Sequence, residues 1–112
     1  MGLEVNMCIK QDTVFTRFKG ELDEMSVTDI RAKLCEILRK YDVKNIVFNM
    51  RDLSFMDSTG IGMIIGRYNQ VKEKCGKIIL CDLNQNIEKI IVMSGLLKIC
   101  TLRDSEASAS GF

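Results

Sequence analysis

The sequence predicts an α/β domain: a mixed, mainly parallel sheet of four to five strands that opens with an antiparallel hairpin and is covered by three to four helices. Three observations carry this. Two β-rich runs separated by Gln11-Asp12 open the chain. Apolar runs of strand length then alternate with runs of helical period. Strands that follow one another through helices pair in parallel by right-handed crossovers. A length of 112 residues fits one domain over 1–112, and 46% apolar with 28% charged residues is the composition of a chain that buries a core. Residues 105–112 are expected to be loose.

The elements follow in order. Leu3, Val5, Met7 and Ile9 alternate with Glu4, Asn6, Cys8 and Lys10, the period of a half-buried strand. Thr13 to Phe18, rich in β-branched and aromatic residues, supplies the second strand, and Lys19 to Asp23 ends it and begins a loop. Ser26 stands as the cap of a first helix, with Asp29 where a capping box prefers Glu. Val27, Ile30, Leu34, Ile37, Leu38 and Tyr41 share its inward face. Asn45 to Met50, "NIVFNM", reads as a strand covered on both faces, followed by a loop over 51–58.

Residues 59 to 75 resume the helical period through Ile61, Ile64, Ile65, Tyr68, Val71 and Cys75, and Gly76 suits the position just past a helix end. Lys77 to Leu83 is a further buried strand. Asn84 to Ser94 is a third helix, with Ile87, Ile90 and Ile91 inward and Gly95 as its stop. Ile99 to Leu102 makes a last short strand, and Asp104 to Ala109 one or two turns of helix.

Composition excludes several functions. Sixteen Lys and Arg against fifteen Asp and Glu leave a net charge of +1, with no block of either sign, so neither nucleic-acid binding nor direct membrane contact is expected. No segment approaches the roughly 18 apolar residues of a membrane span and no leader opens the chain, so a cytoplasmic protein is expected. The absence of histidine removes the commonest general base and metal ligand. Cys8, Cys35, Cys75, Cys81 and Cys100 show no C-x-x-C spacing and are expected to be mostly small core residues. No metal, cofactor or catalytic residue is expected.

The junction "FMDSTGIG", residues 55–62, is the exception to this plain chemistry. Its simplest role is structural: Asp57 or Ser58 caps a helix and Gly60 eases the turn from strand to helix. It also lies at the carboxyl end of a strand, where open α/β sheets place their sites. Ser58 stands where free N–H groups and the helix dipole favour a negative charge, which Asp57 opposes. Gly62 and Gly66 point away from the core direction alongside Asn69 and Glu73, a strip of bare backbone that would let another protein approach Ser58. A hydrolase elbow needs Gly at 56, where Met56 stands, and no Lys follows Gly60 or Gly62 as a phosphate-cradling loop requires.

These residues resemble a known family. "GELD" at 20–23, "IVFNMRDLSFMDSTGIGMIIGRYNQVK" at 46–72 and "MSGLLKI" at 93–99 are similar to the STAS domains of anti-sigma factor antagonists, in particular the sporulation branch. The resemblance covers the whole chain in order. It implies the STAS fold and a switch without enzymatic activity. Ser58 would be phosphorylated by an anti-sigma factor that is also an ATP-dependent serine kinase. The unphosphorylated form would bind that kinase with ADP or ATP bound and so free the sigma factor, sigma F in this branch; a serine phosphatase would restore the active form. Asp23, Asp57, Ser58, Thr59, Gly60 and Gly62 match the family's partner surface. Thr59 replaces a serine often found there and adds a second hydroxyl; Glu24-Met25 replaces a more polar pair. The resemblance leaves open the related stress-response branch and a module that binds nucleotide or another small ligand.

Overall fold

The computed structural model describes residues 2–109. Its five strands, β1 (Leu3–Lys10), β2 (Thr13–Leu22), β3 (Asn45–Met56), β4 (Ile78–Cys81) and β5 (Thr101–Arg103), stand in chain order across one sheet. β1 and β2 are antiparallel, joined through Gln11 at φ 55°, and every later pairing is parallel. The connections are α1 (Val27–Lys40), α2 (Ser58–Lys72) and α3 (Gln85–Ser94), and α4 (Glu106–Ala109) follows β5. This is the mixed α/β arrangement that the alternation of periods predicts.

One face of the sheet carries most of the core. Val14, Phe18, Ile46, Phe48 and Leu80 pack there with Leu34 of α1, Ile64 of α2 and Ile87 of α3, all at most 2% exposed. The Phe18 and Phe48 rings stack with centroids 5.6 Å apart. Side chains that are completely buried in this way supply about 1.5–3 kcal/mol each, against about 1 kcal/mol for a typical hydrogen bond. The opposite face holds a smaller cluster, Phe15, Val47, Ile79 and Cys81, closed by Ala109 of α4. Glu106 holds α4 in place by accepting from Arg17 Nη2 at 2.6 Å and Asn49 Nδ2 at 2.7 Å. Residues 106–109 are therefore helical and docked rather than loose, and the rest of the expected loose tail, 110–112, lies outside the described residues.

The largest departure from the sequence reading is β3. Residues 51–56, expected as loop, continue the strand because β2 also runs on to Leu22 and offers it a partner, with Lys19 opposite Asp52 and Leu22 opposite Met56. At each of two register shifts β3 gains one residue over β2. Such bulges leave room for the exposed Arg51, Asp52 and Ser54 while Leu53 and Met56 stay buried. The bulged extension carries Asp57 to the level of the β2–α1 loop.

Smaller corrections concern helix ends and cysteines. Tyr41, Ile65 and Cys75, read as inward, are exposed, because the first and last lie past the helical turns and Ile65 faces away from the sheet. Only Cys81 and Cys100 are buried; Cys8 and Cys75 are exposed and Cys35 is intermediate. Burial pushes both buried thiols up to about 12, so neither ionises near neutrality. β4 is shorter than expected, and Ile99 belongs to the turn after a 3-10 segment, Leu96–Lys98, rather than to β5. Gly95 ends α3 at φ 80°, as its position predicts.

Gly76 does not end α2 by adopting a left-handed conformation; Cys75 takes that role at φ 60°. Gly76 is required for another reason: a Cβ there would overlap the Lys44 carbonyl oxygen. We therefore expect Gly76→Ala to lower unfolding free energy by about 2 kcal/mol or more, read as a shift of the urea midpoint at unchanged m-value.

Candidate functional site

The site is built where β2 and β3 end side by side. The Asp57 N–H donates to the Leu22 carbonyl at 3.3 Å, which fixes the β3–α2 turn to the end of β2. Asp57 is the N-cap of α2: its extended backbone lets Oδ1 accept from Thr59 N at 3.0 Å and Gly60 N at 3.3 Å, and also from the Thr59 hydroxyl. The Thr59 hydroxyl is the main cause that holds the Asp57 carboxyl below its ordinary value of 3.8; partial burial opposes it, and the N–H groups of Gly60, Thr59 and Glu24 add to it.

Gly60 turns inward. A Cβ there would stand 2.7 Å from Met56 Cγ and 3.0 Å from Leu22 Cγ, so this glycine lets α2 sit directly on the strand ends. Sequence reasoning placed it on the partner surface; the structure buries it, and its contribution to that surface is to set the height of the helix.

Ser58, the first residue of α2, is exposed, and its hydroxyl makes no hydrogen bond among the described residues. Thr59 is half-buried with its hydroxyl committed to Asp57. The two neighbouring hydroxyls therefore differ in availability: one is free, the other is part of the cap. Asp57 also engages the N–H groups of Thr59 and Gly60, and its carbonyl engages that of Ile61, which leaves the Ser58 N–H as the unpaired donor of the first turn among the described residues.

Asp23 and Ser26 order the β2–α1 loop together, but Ser26 does not cap α1 with its side chain. Asp23 Oδ1 accepts from the N–H groups of Met25 and Ser26, each at 3.1 Å, and from the Ser26 hydroxyl at 3.2 Å. Ser26 has helical backbone angles and donates backward to the Glu21 carbonyl at 2.9 Å, so the cap and the capping box with Asp29 do not form. Asp23 directly follows Leu22, whose carbonyl takes the Asp57 N–H, so this loop and the α2 cap start side by side. Asp23, Asp57, Ser58 and Thr59 thus lie at one end of the sheet.

From there the strip of glycines continues along α2. A Cβ on Gly62 or Gly66 would meet nothing within 4 Å, so neither glycine is needed to pack a neighbouring helix of this domain. Both line a groove against α1 together with Arg67. Arg67 is a residue sequence reasoning missed. It lies on the buried line Gly60, Met63, Ile64, Arg67, Val71, whose spacing of three and four was the available signal.

A family model for the STAS domain matches residues 4–109. The chain belongs to the STAS domain family. This STAS domain is 34% identical over 109 residues to the anti-sigma F factor antagonist of Paenibacillus polymyxa, covering 97% of the chain and 93% of that relative. Its fold superposes on that of the anti-sigma factor antagonist SpoIIAA in its unphosphorylated form, with TM-score 0.78, 28% identity and 97% and 94% of the two chains covered. It superposes on Bacillus SpoIIAA in the phosphorylated form with TM-score 0.75, 30% identity and 97% of each chain covered. Among the described residues of the STAS domain no helix is long and apolar enough to cross a membrane, and no group of three His, Cys, Asp or Glu side chains is placed to hold a metal.

Two stability measurements test this geometry. Asp57→Ala should cost about 1–2 kcal/mol and Asp57→Asn less, because Asn still caps. The carboxyl titrates lower in the fold than its ordinary value, so its contribution is complete above about pH 4 and is lost as pH falls through the folded value. Gly66→Ala should raise stability by up to about 1 kcal/mol, since it fills open space on a helix; both are read from urea unfolding.

Proposed function

We propose that this protein is an anti-sigma factor antagonist of the sporulation type, controlled by phosphorylation of Ser58. It is a binding protein and not an enzyme. Its unphosphorylated form binds an anti-sigma factor kinase loaded with ADP or ATP and displaces the sigma factor, sigma F by analogy with the Paenibacillus relative. The kinase ends the interaction by phosphorylating Ser58, and a serine phosphatase reverses it. All of this takes place in the cytoplasm.

The observation that carries this reading is the contrast between two adjacent hydroxyls. Ser58 is exposed and unbonded at the head of α2, whereas Thr59 is held by Asp57, so the acceptor is Ser58. The docking face follows from it: Asp23 and Asp57 beside the serine, Thr59 under it, and Gly62 clearing the approach. Gly60 supports this face from within.

The switch is local. Phosphate adds about −1.5 to −2 charge at neutral pH, enough to take the chain from +1 to slightly negative, and puts that charge next to Asp57. Repulsion and the cost of desolvating the dianion then weaken docking. A largely unchanged fold is supported by the likeness of this chain to both the unphosphorylated and the phosphorylated forms of SpoIIAA, at TM-scores of 0.78 and 0.75.

The test is direct. Incubation with the anti-sigma factor kinase of the same organism and ATP should add one phosphate, located at Ser58 by peptide mass spectrometry. Ser58→Ala should bind the ADP-loaded kinase like the parent protein and remain unmodified, and Ser58→Asp should bind at least about tenfold more weakly. Equal affinities of the two variants, or phosphate on Thr59, would sink the proposal.

A further inference from the structure

Among the described residues, the groove between α1 and α2 holds a cation without an ion-pair partner. Arg67 is only 7% exposed, and its Nε and Nη1 meet no hydrogen-bond acceptor among the described residues. The ion pairs of those residues lie elsewhere. Two other charged residues line the groove, Arg31 of the same sign and Glu24, which forms no ion pair with Arg67; burial, with Arg31 adding to it, lowers the Arg67 pKa. Keeping two guanidinium nitrogens out of water with no partner is unfavourable, whereas a carboxylate that reaches the guanidinium supplies charge-assisted hydrogen bonds.

The geometry points to a carboxylate site: an aspartate or glutamate side chain of the anti-sigma factor kinase enters the α1–α2 groove and is held by Arg67, with Arg31 at the rim. This rests on the proposed function. The groove is continuous with the face around Ser58, running from Thr59 past Gly62 and Gly66 to Arg67. The two glycines leave open space along that path, so the backbone of a second protein can come close enough for a short acidic side chain to reach Arg67. Glu24 also lines the groove, and its like charge directs an incoming anion towards the arginines. The site thus adds an attractive contact, distant from the phosphorylated residue, that fixes how the partner lies along α2.

The ADP-loaded kinase is titrated calorimetrically onto the unphosphorylated parent protein, Arg67→Met, Arg67→Lys, Arg31→Gln and Ser58→Asp, with a urea midpoint for each. Arg67→Met should weaken binding by about 30-fold or more while its midpoint stays equal or rises, because methionine removes the unpaired charge and keeps the bulk. Arg67→Lys should recover part of the affinity. Arg31→Gln should lose a few-fold, with a weaker dependence on salt. Binding of Arg67→Met within twofold of the parent, while Ser58→Asp still binds weakly, overturns this inference and leaves the proposed function standing. No binding by the parent protein overturns both. Should Arg67→Met fail to fold, the exposed Arg31→Gln decides on the same twofold criterion. Citrate is the probe for a free ligand: a citrate-dependent rise in melting temperature, lost in Arg67→Met and without any change in kinase affinity, assigns the groove to a small carboxylate and overturns the protein source.

Discussion

The hydrogen bonds of Asp57 are the constraint on which the functional end of this domain depends. Its N–H ties β3 to the last residue of β2, and its carboxylate closes the first turn of α2. A cap is worth only about 1 kcal/mol, whereas each completely buried side chain beneath it is worth more, so Asp57 contributes position rather than bulk stability. The apolar contacts of Leu22, Met56 and Gly60 bring the elements together, and Asp57 selects one arrangement in which Ser58 faces outward.

The same arrangement decides how a phosphate on Ser58 would be received. A helix N-terminus favours an anion by about 0.3–1 kcal/mol through its dipole and free N–H groups. Here Asp57 already occupies the Thr59 and Gly60 donors, so the dipole is largely answered. Two unit charges about 4 Å apart repel by about 1 kcal/mol in bulk water and about 4 kcal/mol near a protein surface. Repulsion from Asp57 therefore outweighs the attraction of the helix end, and an exposed phosphoserine relieves it by turning towards solvent. In the proposed function that direction is the one from which a partner approaches, so the charge would block docking without unfolding the helix.

Much of this architecture was legible from periodicity, because the hairpin, α1, α3 and the buried strands each bury one regular set of side chains. What stayed hidden depended on tertiary partners. The charges at Arg51 and Asp52 read as loop, and only the unforeseen length of β2 turns them into a bulged strand. Asp23 and Ser26 are both good capping residues, and the choice between them was made by the Glu21 carbonyl, which takes the Ser26 hydroxyl. Asp57 and Ser58 are equally good caps by residue type, and the extended backbone at Asp57 is what assigns the role to it. Arg67 escaped because a charged residue is ordinarily counted to the wet face of a helix, although its spacing from Gly60, Ile64 and Val71 puts it on the dry one.

The glycines of α2 carry a cost. Gly62 and Gly66 fill no tight contact, so the helix gives up as much as about 1 kcal/mol at each relative to alanine. α2 forms nonetheless, because Met63, Ile64 and Val71 are at most 3% exposed and together supply several kcal/mol, and the Asp57 cap adds its own share. The helix is thus stable enough to keep a face that weakens it. A bare strip that leads from an exposed serine towards a buried, unpaired arginine fills no contact inside the domain, and the proposed docking along α2 gives it a use.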